Sequence, residues 1–306
     1  MAFLPVKKSW KSGIFVCKKV GKVGKTYIIN KFLKENCKSI FCINLLENKD
    51  IANLFNSAKN AKDLIMMLSL AVPEQKLIPN QTVIFLDEVQ VCKEIVTAIK
   101  FLVEEGSHRY ILSGSLLGVE LSDINLAPVG YLRIVKMYPM DIQEFFIANG
   151  LNNDIFTHIE NAFNNRIPVD SFVHKRLIEL FKLYLIVGGM PKVVKTYLDT
   201  NNMQKVIEEQ NYIRELYKVD ISKYDKDKKL YLNEIFDLIP SELNQQNKRF
   251  ILKNLNEKQN FSRVENSFIW LKDAGVALPA FCADEPKYPL KLSKNSNLFK
   301  LFFCDT

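Results

Sequence analysis

Gly21-Lys22-Val23-Gly24-Lys25-Thr26 decides how the first half of this chain folds, and Val83-Ile84-Phe85-Leu86-Asp87-Glu88 completes the reading. The first stretch follows an apolar run, Ile14-Phe15-Val16-Cys17, and precedes a helical pattern, so it falls at a strand-to-helix turn. Backbone N–H groups at such a helix N-terminus bind phosphate oxygens. In loops of this kind a lysine at position 25 reaches the β- and γ-phosphates, and the hydroxyl of Thr26 holds Mg²⁺. The second stretch reads as a buried strand that delivers two carboxylates at its C-terminal end. Asp87 is placed to complete the Mg²⁺ shell, and Glu88 to orient a water toward the γ-phosphate.

Working outward, strand-like runs recur at Gly13–Lys18, Ser39–Asn44, Val83–Asp87, Arg109–Ser113 and Leu132–Lys136. Most are unbroken, as parallel strands covered on both faces should be. Between them Ile95, Ile99, Leu102 and Val103 make one apolar helical stripe. Alternating strands and helices predict a parallel sheet with ligands at the carboxyl ends of its strands. Tyr110-Ile111-Leu112-Ser113-Gly114-Ser115 runs into a small polar turn, where Ser113 would sense the γ-phosphate or simply cap the turn.

From Met140 onward the pattern is mainly helical. Asp141–Phe146 opens one helix and Lys175–Val187 another, stopped by Gly188-Gly189-Met190-Pro191. The charged stretch Ser222–Lys229 reads as a solvated boundary. Beyond it come helical patterns at Tyr231–Pro240, Lys248–Asn256 and Arg263–Ala274, then extended segments at Val276–Cys282 and Asn297–Cys304. Three helices and a terminal hairpin suggest a winged helix. Lys248, Arg249, Lys253, Arg263 and Lys272 are its candidate phosphate contacts, although helix surfaces carry lysines routinely.

Composition sets outer bounds. The chain has 306 residues, enough for about two domains, with 48% hydrophobic and 25% charged residues. No apolar run approaches the ~18 residues of a membrane span, and the first eight residues do not read as a secretory signal. The six cysteines show no CxxC and no pairing with the three histidines. They read as reduced thiols of a cytoplasmic protein. The net charge of +8 permits nucleic-acid contact, yet lysine is abundant throughout and the excess has a compositional explanation.

These motifs together resemble the prokaryotic AAA-type ATPases that join an AAA-like P-loop domain to a C-terminal domain of unknown function. The matching residues are Val23-Gly24-Lys25-Thr26, Leu86-Asp87-Glu88-Val89-Gln90 and Gly114-Ser115-Leu116-Leu117-Gly118-Val119. They continue with Pro128-Val129-Gly130, Tyr138-Pro139-Met140-Asp141-Ile142-Gln143-Glu144-Phe145, Gly188-Gly189-Met190-Pro191 and Trp270-Leu271-Lys272-Asp273-Ala274-Gly275. The resemblance implies an α/β P-loop NTPase sheet flanked by helices (1–145), a helical lid (146–225) and a winged-helix-like domain (226–306). It implies ATP and Mg²⁺ as ligands, with Lys25 and Thr26 in the Walker A roles and Asp87 and Glu88 in the Walker B roles. Glu88 and Lys25 would be catalytic; Val23, Gly24, Lys25, Thr26, Asp87 and Ser113 would line the nucleotide; Thr26 and Asp87 would hold the metal.

Departures qualify that expectation. The family pattern has a glycine where this chain has Lys19, which removes a side-chain-free approach to phosphate. The family arginine near position 21 is absent, and Tyr131 follows Pro128-Val129-Gly130 where many relatives are basic. Relatives continue past Thr306 into a nuclease-like segment, so the chain reads as C-terminally truncated. Three function classes stay open: a slow Mg²⁺-dependent ATPase switch; a degenerate P-loop protein serving as an interaction or DNA-binding module; and a small-molecule kinase. Adjacent Asp87-Glu88 suits water activation and disfavours the last.

Overall fold

A computed structural model describes residues 14–18, 23–92, 94–114, 132–224, 229–251, 267–272 and 274–305. They divide into two compact units, Met1–Met137 and Tyr138–Thr306.

In the first unit the strands are β1 (Ile14–Lys18), β2 (Ser39–Asn44), β3 (Thr82–Asp87), β4 (Arg109–Gly114) and β5 (Leu132–Lys136). They form one sheet in the order β2-β3-β4-β1-β5, and every pairing is parallel. The β2 and β5 limits match the sequence reading; the other strands differ from it by a single residue at one end. The helices are α1 (Lys25–Asn36), α2 (Lys49–Ser57), α3 (Ala61–Ala71) and α4 (Glu94–Glu105).

Strand side chains alternate between two cores, as the pleat requires. Val83, Phe85 and Ile111 pack with Ile29 and Leu33 of α1 on one face. Ile84, Leu86, Tyr110 and Leu112 pack with Phe55, Leu64, Leu68, Ile95 and Leu102 of α2, α3 and α4 on the other. Covering both faces explains why β3 is buried along its whole length and why its sequence is apolar without alternation. The open edge of β2 is blocked by a side chain: the Gln75 amide accepts from Cys42 N–H at 2.6 Å and donates to the Cys42 carbonyl at 3.1 Å. That two-point contact imitates a neighbouring strand and satisfies an edge that would otherwise template another chain.

The second unit begins with helices α5 (Ile142–Ala148), α6 (Asn153–Asn165), α7 (Ser171–Val187), α8 (Pro191–Thr200), α9 (Met203–Tyr224) and α10 (Lys229–Asn244). Asp141 and Glu144 form a reciprocal capping box at the start of α5. The Gly188-Gly189-Met190-Pro191 signal acts as expected, with Gly188 capping α7 and Pro191 opening α8. Gly189 is held on three sides: its N–H donates to Asp305, its carbonyl accepts from Met140 N–H at 2.7 Å, and Tyr184 Oη donates to the Met140 carbonyl at 3.0 Å.

Toward the C-terminus, β6 (Ala277–Ala283) and β7 (Lys294–Phe303) pair antiparallel. The terminal hairpin of the sequence reading is present. The helical pattern expected at Lys248–Asn256 does not hold over its described part: residues 248–251 are non-helical, and Phe250 N–H donates to the Phe299 carbonyl at 3.0 Å. Burial of Phe250 against Phe268 and Phe299, at ring distances of 5.5 and 5.8 Å, outweighs the local helical pattern. The helix expected to stop at Pro240 instead continues to Asn244. The boundary stretch is helical through Tyr224, and 225–228 lie outside the described residues, as do 252–266 with Lys253 and Arg263. Among the described residues no helix is long and apolar enough to cross a membrane.

Candidate functional site

Because every strand of the first sheet runs the same way, their carboxyl ends share one edge. Asn44 sits in register with Asp87, and Leu86 with Leu112, so Ser113 follows beside Asp87. The start of α1 lies at this edge, where Thr26 reaches Asp87. Gly24 adopts φ 78°, a left-handed conformation that suits glycine, and α1 starts at the next residue. Lys25 therefore occupies the first helical turn, where N–H groups lack intrahelical partners, and it is buried.

The polar contacts converge on Asp87, which is 4% exposed. Thr26 Oγ1 donates to Asp87 Oδ2 at 2.6 Å. Ser113 Oγ, completely buried, donates to Asp87 Oδ1, and Glu88 N–H donates to the same oxygen at 3.0 Å. A buried carboxylate needs such donors, since an unsatisfied charge at this depth is costly. The pairing brings residues 61 positions apart into contact, and the hydroxyl and carboxylate oxygens so joined are hard donors of the kind Mg²⁺ takes.

Glu88 is shaped differently. Its backbone lies at φ 57°, a conformation that costs a non-glycine residue roughly 1–2 kcal/mol. That turn ends β3 and opens a short 3₁₀ segment, Val89–Val91. Gln90 Nε2 donates to Glu88 Oε2 at 2.5 Å and so fixes the carboxylate of a strained residue. The sequence reading assigned no role to Gln90, although it lies in the quoted motif. Only the break after Asp87 reveals that its amide folds back onto Glu88.

The site residues expected from sequence are thus brought together in part. Thr26, Asp87 and Ser113 share one hydrogen-bonded cluster, and Glu88 adjoins it through its N–H. Gly24 and Lys25 form the start of α1. The side chain of Val23 is fully buried, so what it offers a ligand is main chain. Lys19 and Tyr131 lie outside the described residues. Burial pushes the Cys42 thiol up to about 11, with the Asp87 charge as a second cause. Among the described residues there is no cluster of three or more His, Cys, Asp or Glu that could hold a metal.

Comparison with known proteins fits this geometry. Residues 20–146 match the family described as AAA domain, and residues 178–306 match a domain of unknown function, DUF8612. No curated protein sequence matches the chain significantly. Among solved structures, the Orc1 protein of Aeropyrum pernix in complex with DNA is 12% identical at a TM-score of 0.35, covering 96% of this chain and 84% of that one. AMPPCP-bound DnaA from Aquifex aeolicus is 13% identical at a TM-score of 0.38, covering 78% and 69%. A mutant RuvB from Thermotoga maritima is 13% identical at 0.34, covering 87% and 81%. Likenesses this distant say nothing of activity or partners. The parallel sheet, the glycine-lysine-threonine helix start and the matched families agree: residues 20–146 are an AAA domain built on a parallel α/β sheet, and residues 178–306 match a domain of unknown function.

Proposed function

We propose that the chain binds ATP with Mg²⁺ and hydrolyses it slowly, as a nucleotide-controlled switch. The observation that carries this reading is the contact of the Thr26 hydroxyl with the Asp87 carboxylate at 2.6 Å beside the start of α1. In this reading Thr26 and Asp87 hold the metal, which supplies charge neutralisation at the phosphates when bound. Lys25 and the first N–H groups of α1 bind the phosphate oxygens. Glu88, oriented by Gln90, accepts a hydrogen bond from the attacking water and positions it. Ser113 keeps Asp87 oriented and senses the γ-phosphate. The domain division we carry is 1–145, 146–225 and 226–306, with DNA or a protein as the partner of the last.

Thermal shift with ATP and Mg²⁺, together with phosphate release, tests this. Lys25→Ala removes the nucleotide-dependent shift, whereas Glu88→Gln keeps the shift and loses turnover. If the wild-type chain shows no shift, or Lys25→Ala leaves it unchanged, the proposal fails.

A second reading rests on Lys19, whose ammonium stands in sequence where a loop glycine is expected. In it the loop is degenerate and the protein is an interaction or DNA-binding module without turnover. Lys19→Gly then raises nucleotide affinity sharply; unchanged affinity removes this reading.

A further inference from the structure

The connection between β6 and β7 exposes large apolar side chains. Tyr288 is 97% exposed, Leu292 85% and Leu290 56%. Free exposure of three such groups within five residues is unfavourable for an isolated surface and marks a contact site. The segment is nonetheless ordered. Ser293 Oγ donates to the Glu285 carbonyl at 2.8 Å and contacts the Leu290 carbonyl at 3.3 Å. Asp284 N–H donates to the Ser293 carbonyl at 2.8 Å, and Leu292 N–H to the Pro289 carbonyl at 3.0 Å. These bonds close the loop at its base, and the apolar side chains remain in solvent beyond it.

Cations alternate with those side chains, as the run Lys287-Tyr288-Pro289-Leu290-Lys291-Leu292 shows. Lys294 lies over the Phe281 ring at 3.6 Å, and Lys300 is exposed farther along β7. Exposed Lys248 and Arg249 join the same strand, since the next residue, Phe250, bonds to Phe299. Glu285 pairs with Lys287 at 2.7 Å and Asp284 Oδ1 accepts from Asn295 at 3.3 Å, so the acids of the loop offset its lysines and the excess cations are Lys294, Lys300, Lys248 and Arg249. A basic track therefore leads along the hairpin to an apolar tip.

We propose that this hairpin binds duplex nucleic acid, its lysines on phosphates and Tyr288, Leu290 and Leu292 against the groove. Lysines on a strand edge neutralise phosphates without reading sequence, and apolar side chains beside them wedge into the minor groove. The proposal rests on the DNA part of the reading above and is independent of the nucleotide site. An anionic membrane surface is the competing polyanion. A membrane-surface element of this kind is an amphipathic helix with a broad apolar face, whereas here the apolar groups are confined to one tip and the cations run lengthwise.

The experiment is fluorescence anisotropy of the full chain with labelled duplex DNA of mixed sequence, over a salt series. Lys291→Glu with Lys300→Glu weakens binding and lowers the salt slope by about 2, at roughly 0.9 for each phosphate no longer neutralised. Tyr288→Ala with Leu292→Ala weakens binding on the order of tenfold and leaves the slope unchanged. The tip variants keep the wild-type thermal shift with ATP and Mg²⁺, which separates failure here from failure at the nucleotide site. Unchanged melting temperatures in the tip variants exclude unfolding as the cause. Absence of duplex binding by the wild-type chain, indifference to both tip variants, or binding only to phosphatidylserine vesicles would each overturn the proposal.

Discussion

Ser113→Ala isolates one donor of the Asp87 cluster. Ser113 is fully buried and, among the described residues, its hydroxyl donates to Asp87 together with Thr26 Oγ1 and Glu88 N–H. Alanine removes the oxygen, so the carboxylate loses that donor. A hydrogen bond to a charged acceptor is worth about 1.5–3 kcal/mol. At roughly 2–4 °C per kcal/mol for a unit of this size, the melting temperature of the nucleotide-free chain falls roughly 3–12 °C. Urea unfolding of the same variant should lower the midpoint with an unchanged slope, because the exposed area on unfolding is the same. Thr26→Val removes the donor at 2.6 Å on the other oxygen. The double variant should depart from additivity by about 0.5–3 kcal/mol, since both donors serve one carboxylate. A melting temperature within about 1 °C of wild type for Ser113→Ala, or strict additivity of the pair, would refute the claim that these hydroxyls hold Asp87 in place.

Gly189→Ala tests the second unit in the same way. A Cβ there runs into the Met140 carbonyl and lies 2.9 Å from Asp305 Oδ2, so the variant should lose about 3 kcal/mol or more in chemical denaturation; a loss below about 1 kcal/mol contradicts the packing. His108 offers a pH test. Burial lowers its pKa, against a smaller opposing effect of Glu105, and Nε2 is buried with no hydrogen-bond partner among the described residues. The unfolded chain thus binds this proton more readily. The stability His108 contributes is complete above the ordinary value of 6.5 and is lost as pH falls through the lowered one. His108→Gln should flatten that acid limb in melting curves, and an unchanged limb counts against the assignment. For cysteine reactivity, exposed Cys282 should alkylate before Cys42, whose thiol is held up near 11; mass spectrometry of partially labelled protein reads the order, and the reverse order would contradict it.

How much was legible beforehand depended on the range of the interactions concerned. The five strands, the glycine-lysine-threonine helix start and the Gly188-Gly189 stop are local effects. Apolar runs, a left-handed glycine and a proline at the first helical position act over a few residues, so their places followed from the sequence. Trouble came where packing overrode a local pattern. Lys248–Ile251 carries helical periodicity, yet Phe250 is drawn into an aromatic cluster with Phe268 and Phe299 and bonds to β7. Pro240 looks like a stop, yet its helix runs on to Asn244.

The same division holds at the site. The sequence alone established which chemistry is present: an ammonium, a hydroxyl and two carboxylates at the ends of strands, because those residue types and spacings carry their own meaning. Only the tertiary structure decided their arrangement. The strand order β2-β3-β4-β1-β5 carries Ser113 beside Asp87, and the start of α1 brings Thr26 to the opposite oxygen of the same carboxylate. Glu88 in a left-handed turn and Gln90 folded onto it depend on how the chain leaves β3. No short-range pattern encodes such contacts, since register between distant strands is fixed by burial on both faces of the sheet rather than by neighbours in the chain.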